Sequence, residues 1–132
     1  MAELSDKART LIEEPNLGFL ATVMEDGSPQ VSPVWVDLEN GYVRVNTATG
    51  RVKDANIRRD PRVAISVADR NNQYSKVDIR GRVVDIVEGD EAERHIDSLA
   101  KKYMDEDVYP WRRADERRVL VRIEPERVSE MG

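Results

Sequence analysis

The sequence predicts a mainly β fold, a small antiparallel barrel of six strands with flanking helices. Three observations lead there. Apolar residues recur with a period of two in several runs, and the two-residue turn signals Asp26-Gly27 and Asn40-Gly41 separate the first of them. Segments with a helical period are few and do not alternate with strands as a βαβ sheet requires. The long run from Tyr74 to Val87 is interrupted by Gly81, which marks a bend or bulge where a strand curls.

The elements follow in order. Residues 4–14 form an amphipathic helix with Ser5 as N-cap and Leu4, Ala8, Leu11 and Ile12 on one face; Pro15 and Asn16 stop it. Gly18 to Met24 is a strand apolar on both faces. After Asp26-Gly27 the return strand runs from Gln30 to Asp37. Pro33 inside it requires an edge or a local bulge, because proline gives no ladder donor. Asn40-Gly41 leads into the strand Tyr42 to Asn46, making three strands in meander order. A short helix follows, ending near Asp60 before Pro61. Val63 to Ala68 is the fourth strand, residues 69–72 a turn, and Tyr74 to Val87 the fifth. Asp90 with Glu93 reads as a capping box opening a helix to Met104, with Ala92, Ile96, Leu99, Ala100 and Tyr103 on one side and His95 on the solvent side. Residues 105–118 are irregular and charged, around Tyr109-Pro110-Trp111. The last strand, Val119 to Ile123, ends at Glu124-Pro125. No linker or repeat divides residues 1–132, which read as a single domain.

Composition narrows the function. Only 5% of residues are aromatic, so the core is built from Val, Ile, Leu and Ala, and so lean a core gains from dimerisation. The net charge of −5 argues against nucleic acid and anionic membranes as partners. Cysteine is absent, which removes thiolate metal ligands, Cys nucleophiles and disulfides and fits a cytoplasmic protein. No apolar run is long enough to span a membrane, and the N-terminus lacks the pattern of a signal peptide. With His95 as the one histidine, neither a metal site nor a Ser/His/Asp set assembles. The dinucleotide and P-loop fingerprints are missing too. No catalytic residue is assigned; an enzyme so equipped leaves its chemistry to a cofactor.

One stretch offers a place for it. Asn46-Thr47-Ala48-Thr49-Gly50-Arg51-Val52-Lys53 runs from a strand into a helix. Thr47 and Thr49 are candidate N-caps. Arg51 and Lys53 lie in the first turn, where the helix dipole disfavours cations. Free N–H groups, hydroxyls and two cations form a cradle for an anion, most simply phosphate; the same pattern also suits a solvated basic turn. Pro33, Val34, Trp35 and Val36 could offer backbone groups and an apolar wall to a planar ring. Trp35 suits a core or dimer contact better than a ring contact. Tyr109 and Trp111 suit loop anchors or a lid.

The runs Gly18 to Thr22, Asp26 to Trp35, Arg51 to Val63, Tyr74 to Val83, Tyr109-Pro110-Trp111 and Arg118 to Val128 resemble the pyridoxamine 5′-phosphate oxidase-like superfamily, the FMN- and deazaflavin-binding split barrels. The C-terminal run is most similar to the subgroup using the deazaflavin coenzyme F420. The resemblance implies a homodimeric, six-stranded antiparallel split β-barrel with two cofactor sites at the subunit interface. It implies an oxidoreductase moving hydride between F420, or alternatively FMN, and a small organic substrate; a flavin-binding protein without turnover is a further alternative. Arg51 and Lys53 match the phosphate-binding pair, and Asn46, Thr47 and Thr49 match positions around the same phosphate. Ser32, Pro33 and Val34 match the strand whose backbone meets the ring, and Tyr74 an aromatic contributed across the dimer. The C-terminal arginine and histidine that bind pyridoxal phosphate in the true oxidases have no counterpart.

Overall fold

A computed structural model describes all 132 residues. The helices are α1 (Asp6–Glu13), α2 (Val52–Arg59) and α3 (Asp90–Met104). The strands are β1 (Gly18–Val23), β2 (Pro29–Val34), β3 (Val36–Glu39), β4 (Tyr42–Ala48), β5 (Arg62–Asp69), β6 (Asn72–Glu88) and β7 (Arg118–Met131). All seven strands form one antiparallel sheet in the order β2-β1-β5-β6-β7-β4-β3.

That order explains the barrel. β2 and β3 stand at opposite edges of the sheet, yet Trp35 alone separates them in the chain. Val34 pairs with Gly18 at one edge, and Val36 pairs with Val45 at the other. One residue cannot bridge a flat seven-stranded sheet, since adjacent strands lie about 5 Å apart. The sheet therefore curls until its edges meet at Trp35, forming a split barrel. Here the sequence reading needs correcting: the run Gln30 to Asp37 is two strands, so the sheet has seven strands, not six, and the three-strand meander becomes two hairpins on opposite edges. Pro33 sits on the edge strand β2, where its missing N–H costs no ladder bond.

The barrel interior holds 19 buried apolar residues, among them Leu20, Val36, Val45, Ile65, Val67, Val77, Ile79, Val121 and Ile123; Ala8, Leu11 and Ile12 of α1 plug one end. Across the wall, α3 buries Ala92, Ile96, Leu99 and Ala100 outside the barrel, together with Ala48 and Leu120. β4 and β7 are thus covered on both faces.

Three further expectations change. β7 continues past Pro125 to Met131, because a bulge absorbs the proline. Arg80 pairs with Arg127 and Gly81 with Pro125, leaving Glu126 unpaired. A Cβ on Gly81 would sit 2.3 Å from the Glu124 carbonyl oxygen, so the close approach requires glycine. Arg51, not a threonine, occupies the N-cap position of α2: Thr47 lies within β4, and the Gly50 N–H bonds to Asp54 Oδ2 at 3.1 Å instead. Gly89 is the N-cap of α3, and Asp90 is its first helical residue. No helix is long and apolar enough to cross a membrane.

Candidate functional site

A cavity of about 300 Å³ opens where the two barrel edges meet. Its walls come from six places. Leu17, Pro33, Val34 and Trp35 form the corner; Asn46 comes from β4; Arg51 and Lys53 come from the start of α2. Ile96 of α3 and Arg118 of β7 close the back, and Tyr109 and Trp111 close the side.

The residue cluster named from sequence is largely brought together. Pro33, Val34, Asn46, Arg51 and Lys53 line this one cavity. Ser32 and Thr47 are sequence neighbours of lining residues in β2 and β4 but do not line the cavity, and each hydroxyl is buried with no hydrogen-bond partner. Most buried polar groups are satisfied, so these two hydroxyls are exceptions within the sheet. Thr49 is exposed in the turn before α2, its N–H bonded to the Arg117 carbonyl. Tyr74 stands elsewhere, 78% exposed near the start of β6, and does not reach the cavity of its own chain.

Cations gather at one end. Lys53 is half-buried and pairs with no carboxylate, whereas Arg51 bonds Glu116 at 3.1 Å. Burial, followed by the charges of Arg51 and Arg118, pushes the Lys53 ammonium below the usual lysine range. Burial pulls the Glu116 carboxyl upward, but Arg118 and Arg51 outweigh it and hold the group below its ordinary value. Arg118 is only 3% exposed, and its guanidinium lies over the Tyr109 ring, 5.2 Å from the centroid. Sequence reasoning missed Arg118: it is one basic residue among Arg112, Arg113, Arg117 and Arg118, and only the β4–β7 pairing turns it inward.

The other end is aromatic. Trp35 stacks on Tyr103, meets Tyr109 edge-on with centroids 6.1 Å apart, and lies 6.4 Å from Trp111. The loop carrying Tyr109 and Trp111 is fixed to α3: the Tyr109 N–H donates to Asp97 Oδ1 at 2.8 Å, and Arg112 pairs with Glu93 and Asp97. Behind the cavity His95 is buried, not on the solvent side. It bridges Asn46 and Asp37, which satisfy both ring nitrogens. Burial raises the Asp37 carboxyl, yet His95 and the Arg44 guanidinium hold it below the usual value. No carboxylate or histidine lines the cavity.

A larger open groove, about 570 Å³, lies between β1, β5, β6 and β7. It contains none of the nine residues named from sequence, and its three cations are Arg62, Arg80 and Arg127.

The fold has counterparts among known proteins. A solved structure titled F420 reductase matches with 35% identity and a TM-score of 0.82, over 96% of this chain and 98% of that one. A conserved hypothetical protein from Mycobacterium tuberculosis matches with 26% identity and a TM-score of 0.72, over 99% and 84%. General stress protein 26 from Bacillus anthracis shares the fold, at 20% identity and a TM-score of 0.70 over 96% and 92%. The family model described as pyridoxamine 5′-phosphate oxidase matches residues 4–132, and the chain belongs to that family.

Proposed function

We propose that the cavity binds the deazaflavin coenzyme F420 and that the protein is an oxidoreductase, moving hydride between that cofactor and a small organic substrate. The observation that carries this reading is Lys53: a half-buried cation without a carboxylate, beside Arg51 and Arg118, at one end of a cavity whose other walls are apolar and aromatic. A buried excess of positive charge is costly unless an anion completes it. The 35% identity to an F420 reductase supports the choice of cofactor.

When bound, the cofactor supplies the hydride chemistry. This chain's residues orient and enclose. Arg51, Lys53 and the first-turn N–H groups of α2 hold the phosphate. Pro33 and Val34 give the ring an apolar wall, and Trp35 and Trp111 restrict water. The lining contains no carboxylate or histidine, and its contribution is placement.

The reading includes a homodimer. Phe19 pairs with Pro33 and Ala21 with Val31, so these four share one face; Phe19 is 49% and Val31 63% exposed. An exposed apolar patch continuous with the cavity wall at Pro33 suits a second copy seated at the cavity mouth. Such a copy would bring in residues this cavity lacks, and Tyr74 is the aromatic free to serve.

FMN is the second reading, and one observation favours it. Arg58, Arg59 and Arg62, the cations available for a long anionic tail, are engaged by Asp54 and Glu88, by Asn56 and the Val23 carbonyl, and by Asp60. The cavity cations Arg51, Lys53 and Arg118, with one carboxylate, Glu116, paired to two of them, suit a compact anion.

Titration decides. Added F420 should lose fluorescence on binding a colourless preparation, and the dimer should persist on gel filtration. A yellow protein with a flavin spectrum selects FMN. Binding of neither cofactor overturns the proposal.

A further inference from the structure

We propose that Arg118 is a third anion-binding residue of this cavity and that Asn46 is a positioning residue that aims it; the inference rests on the cofactor reading above. Arg118 opens β7 opposite Ala48. Its guanidinium is held on two sides. Nε donates to Asn46 Oδ1 at 2.9 Å, and Nη1 donates to Glu116 Oε1 at 2.8 Å. Tyr109 covers one face. Nη2 has no partner, although the residue is 97% buried and lines the cavity. A guanidinium fixed on two nitrogens with the third free is preorganised for an oxygen that approaches through the cavity. The local charge agrees: Glu116 pairs with Arg51 and Arg118, Lys53 pairs with no carboxylate, and the excess of positive charge suits a phosphate.

Asn46 cannot itself turn toward that anion. Its Nδ2 donates to the Ala92 carbonyl at 3.0 Å and faces His95 Nδ1 at 3.1 Å. Flipping the amide would set two oxygens against each other at Ala92. His95 Nε2 faces Asp37 Oδ1 at 3.1 Å, and Asp37 is gripped at both oxygens by Arg44, at 2.9 and 2.7 Å. A carboxylate at Nε2 places the ring proton there and leaves Nδ1 as the acceptor for Asn46. The series Arg44, Asp37, His95, Asn46, Arg118 thus crosses from the β3–β4 hairpin through α3 to β7. Its last free donor faces the cavity.

The test separates the anion from the ring. Trp35 and Trp111 are the chain's two tryptophans and both line the cavity, so quenching of intrinsic emission reports occupancy. The probes are FMN against riboflavin, which differ by the phosphate alone, and F420 against its deazaflavin riboside, which lacks the phosphate and the tail it carries. The wild type should bind the phosphorylated member of a pair more tightly. Arg118→Gln should cut that advantage about tenfold to a hundredfold, the scale of a charge-assisted hydrogen bond. Affinity for the phosphate-free member should stay unchanged. Arg118→Lys, which keeps the charge should Arg118→Gln fold poorly, should recover part of the advantage. Asn46→Ala should cut it about three- to tenfold, since Arg118 is then held by Glu116 alone. A purely structural role would weaken both members of a pair equally, and that result overturns the inference. A wild-type preference that survives both substitutions overturns it alone. A wild type indifferent to the phosphate overturns the cofactor reading with it.

Discussion

The Trp35 ring lies flat on that of Tyr103, with centroids 5.3 Å apart and planes within 5°. The stack sits at the one place where the chain passes between the two barrel edges, and the Tyr103 hydroxyl fastens it. That hydroxyl donates to the Asn16 carbonyl at 2.6 Å and accepts from the Val36 N–H at 3.1 Å. Tyr103→Phe keeps the stack and strands both backbone groups. A loss of about 1–3 kcal/mol is expected, the cost of leaving buried partners unsatisfied. Urea denaturation of the purified variant measures it, and a stability equal to wild type would show that the hydroxyl does not close the corner.

Two neighbours at the same corner give stability opposite pH dependences. Lys102 Nζ donates to the carbonyls of Ile12 and Val36, both at 2.5 Å, and so caps the C-terminus of α1, which has no basic residue in its own last turn. Burial pushes its ammonium down to about 8, against the charges of Asp37 and Glu13. Between that value and the ordinary lysine range the unfolded chain binds more protons, so stability rises with pH from about 8 to 10.5. Burial pushes the Tyr103 phenol up to about 12. There the folded chain holds the extra proton, and stability falls as pH rises from 10 to about 12. Melting temperatures across this range should show the rise abolished in Lys102→Met and the fall abolished in Tyr103→Phe. A Lys102→Met profile parallel to wild type between pH 8 and 10 would contradict the first assignment.

What the sequence made legible was local. Asn40-Gly41 announced its hairpin because both residues adopt positive φ, 55° and 83°, where few other pairs go without strain. Arg51 and Lys53 stood out because cations at a helix start oppose its dipole. The corner at Trp35 left no such mark: Val31, Pro33 and Trp35 alternate with Ser32, Val34 and Val36 as they would in one straight strand, and only the closed sheet separates them. His95 looked solvated because its helix already had an apolar stripe. It is buried because Asn46 and Asp37, 49 and 58 residues away in sequence, satisfy it. Arg118 was hidden for the same reason, its role resting on register with β4.

Gly81 gives a sharper test of the curl. The space its Cβ would need is already taken, 2.3 Å from the Glu124 carbonyl oxygen and 3.1 Å from its carbon, both rigid backbone atoms of the paired strand. Gly81→Ala must therefore open the bulge that lets β7 continue past Pro125. A destabilisation of about 1–3 kcal/mol or more is expected, as for other overpacked sites. Amide exchange should locate it: protection should fall in residues 125–131 and in their β6 partners, while the β3–β4 hairpin stays protected. Uniform loss across the sheet would mean that the bulge is not a separable feature.

Lys53 should show opposite effects on stability and on binding. Its ammonium is half-buried beside Arg51 and Arg118 and pairs with no carboxylate, since Glu116 is taken by the two arginines, so the fold carries it at a cost. Lys53→Met keeps the buried stem and removes the charge. The ligand-free variant should therefore melt at the same temperature as wild type or higher. Its affinity for the phosphorylated cofactor should fall by about 1–3 kcal/mol, the range for a charge-assisted hydrogen bond. Arg51→Met should differ, because it also removes the ion pair to Glu116, so ligand-free stability should not rise. A residue kept for folding would lose stability when replaced; one kept for an anion gains or holds it and loses the ligand. Thermal melts of both variants with and without cofactor make the distinction, and a Lys53→Met protein that melts lower yet binds normally would remove Lys53 from the site.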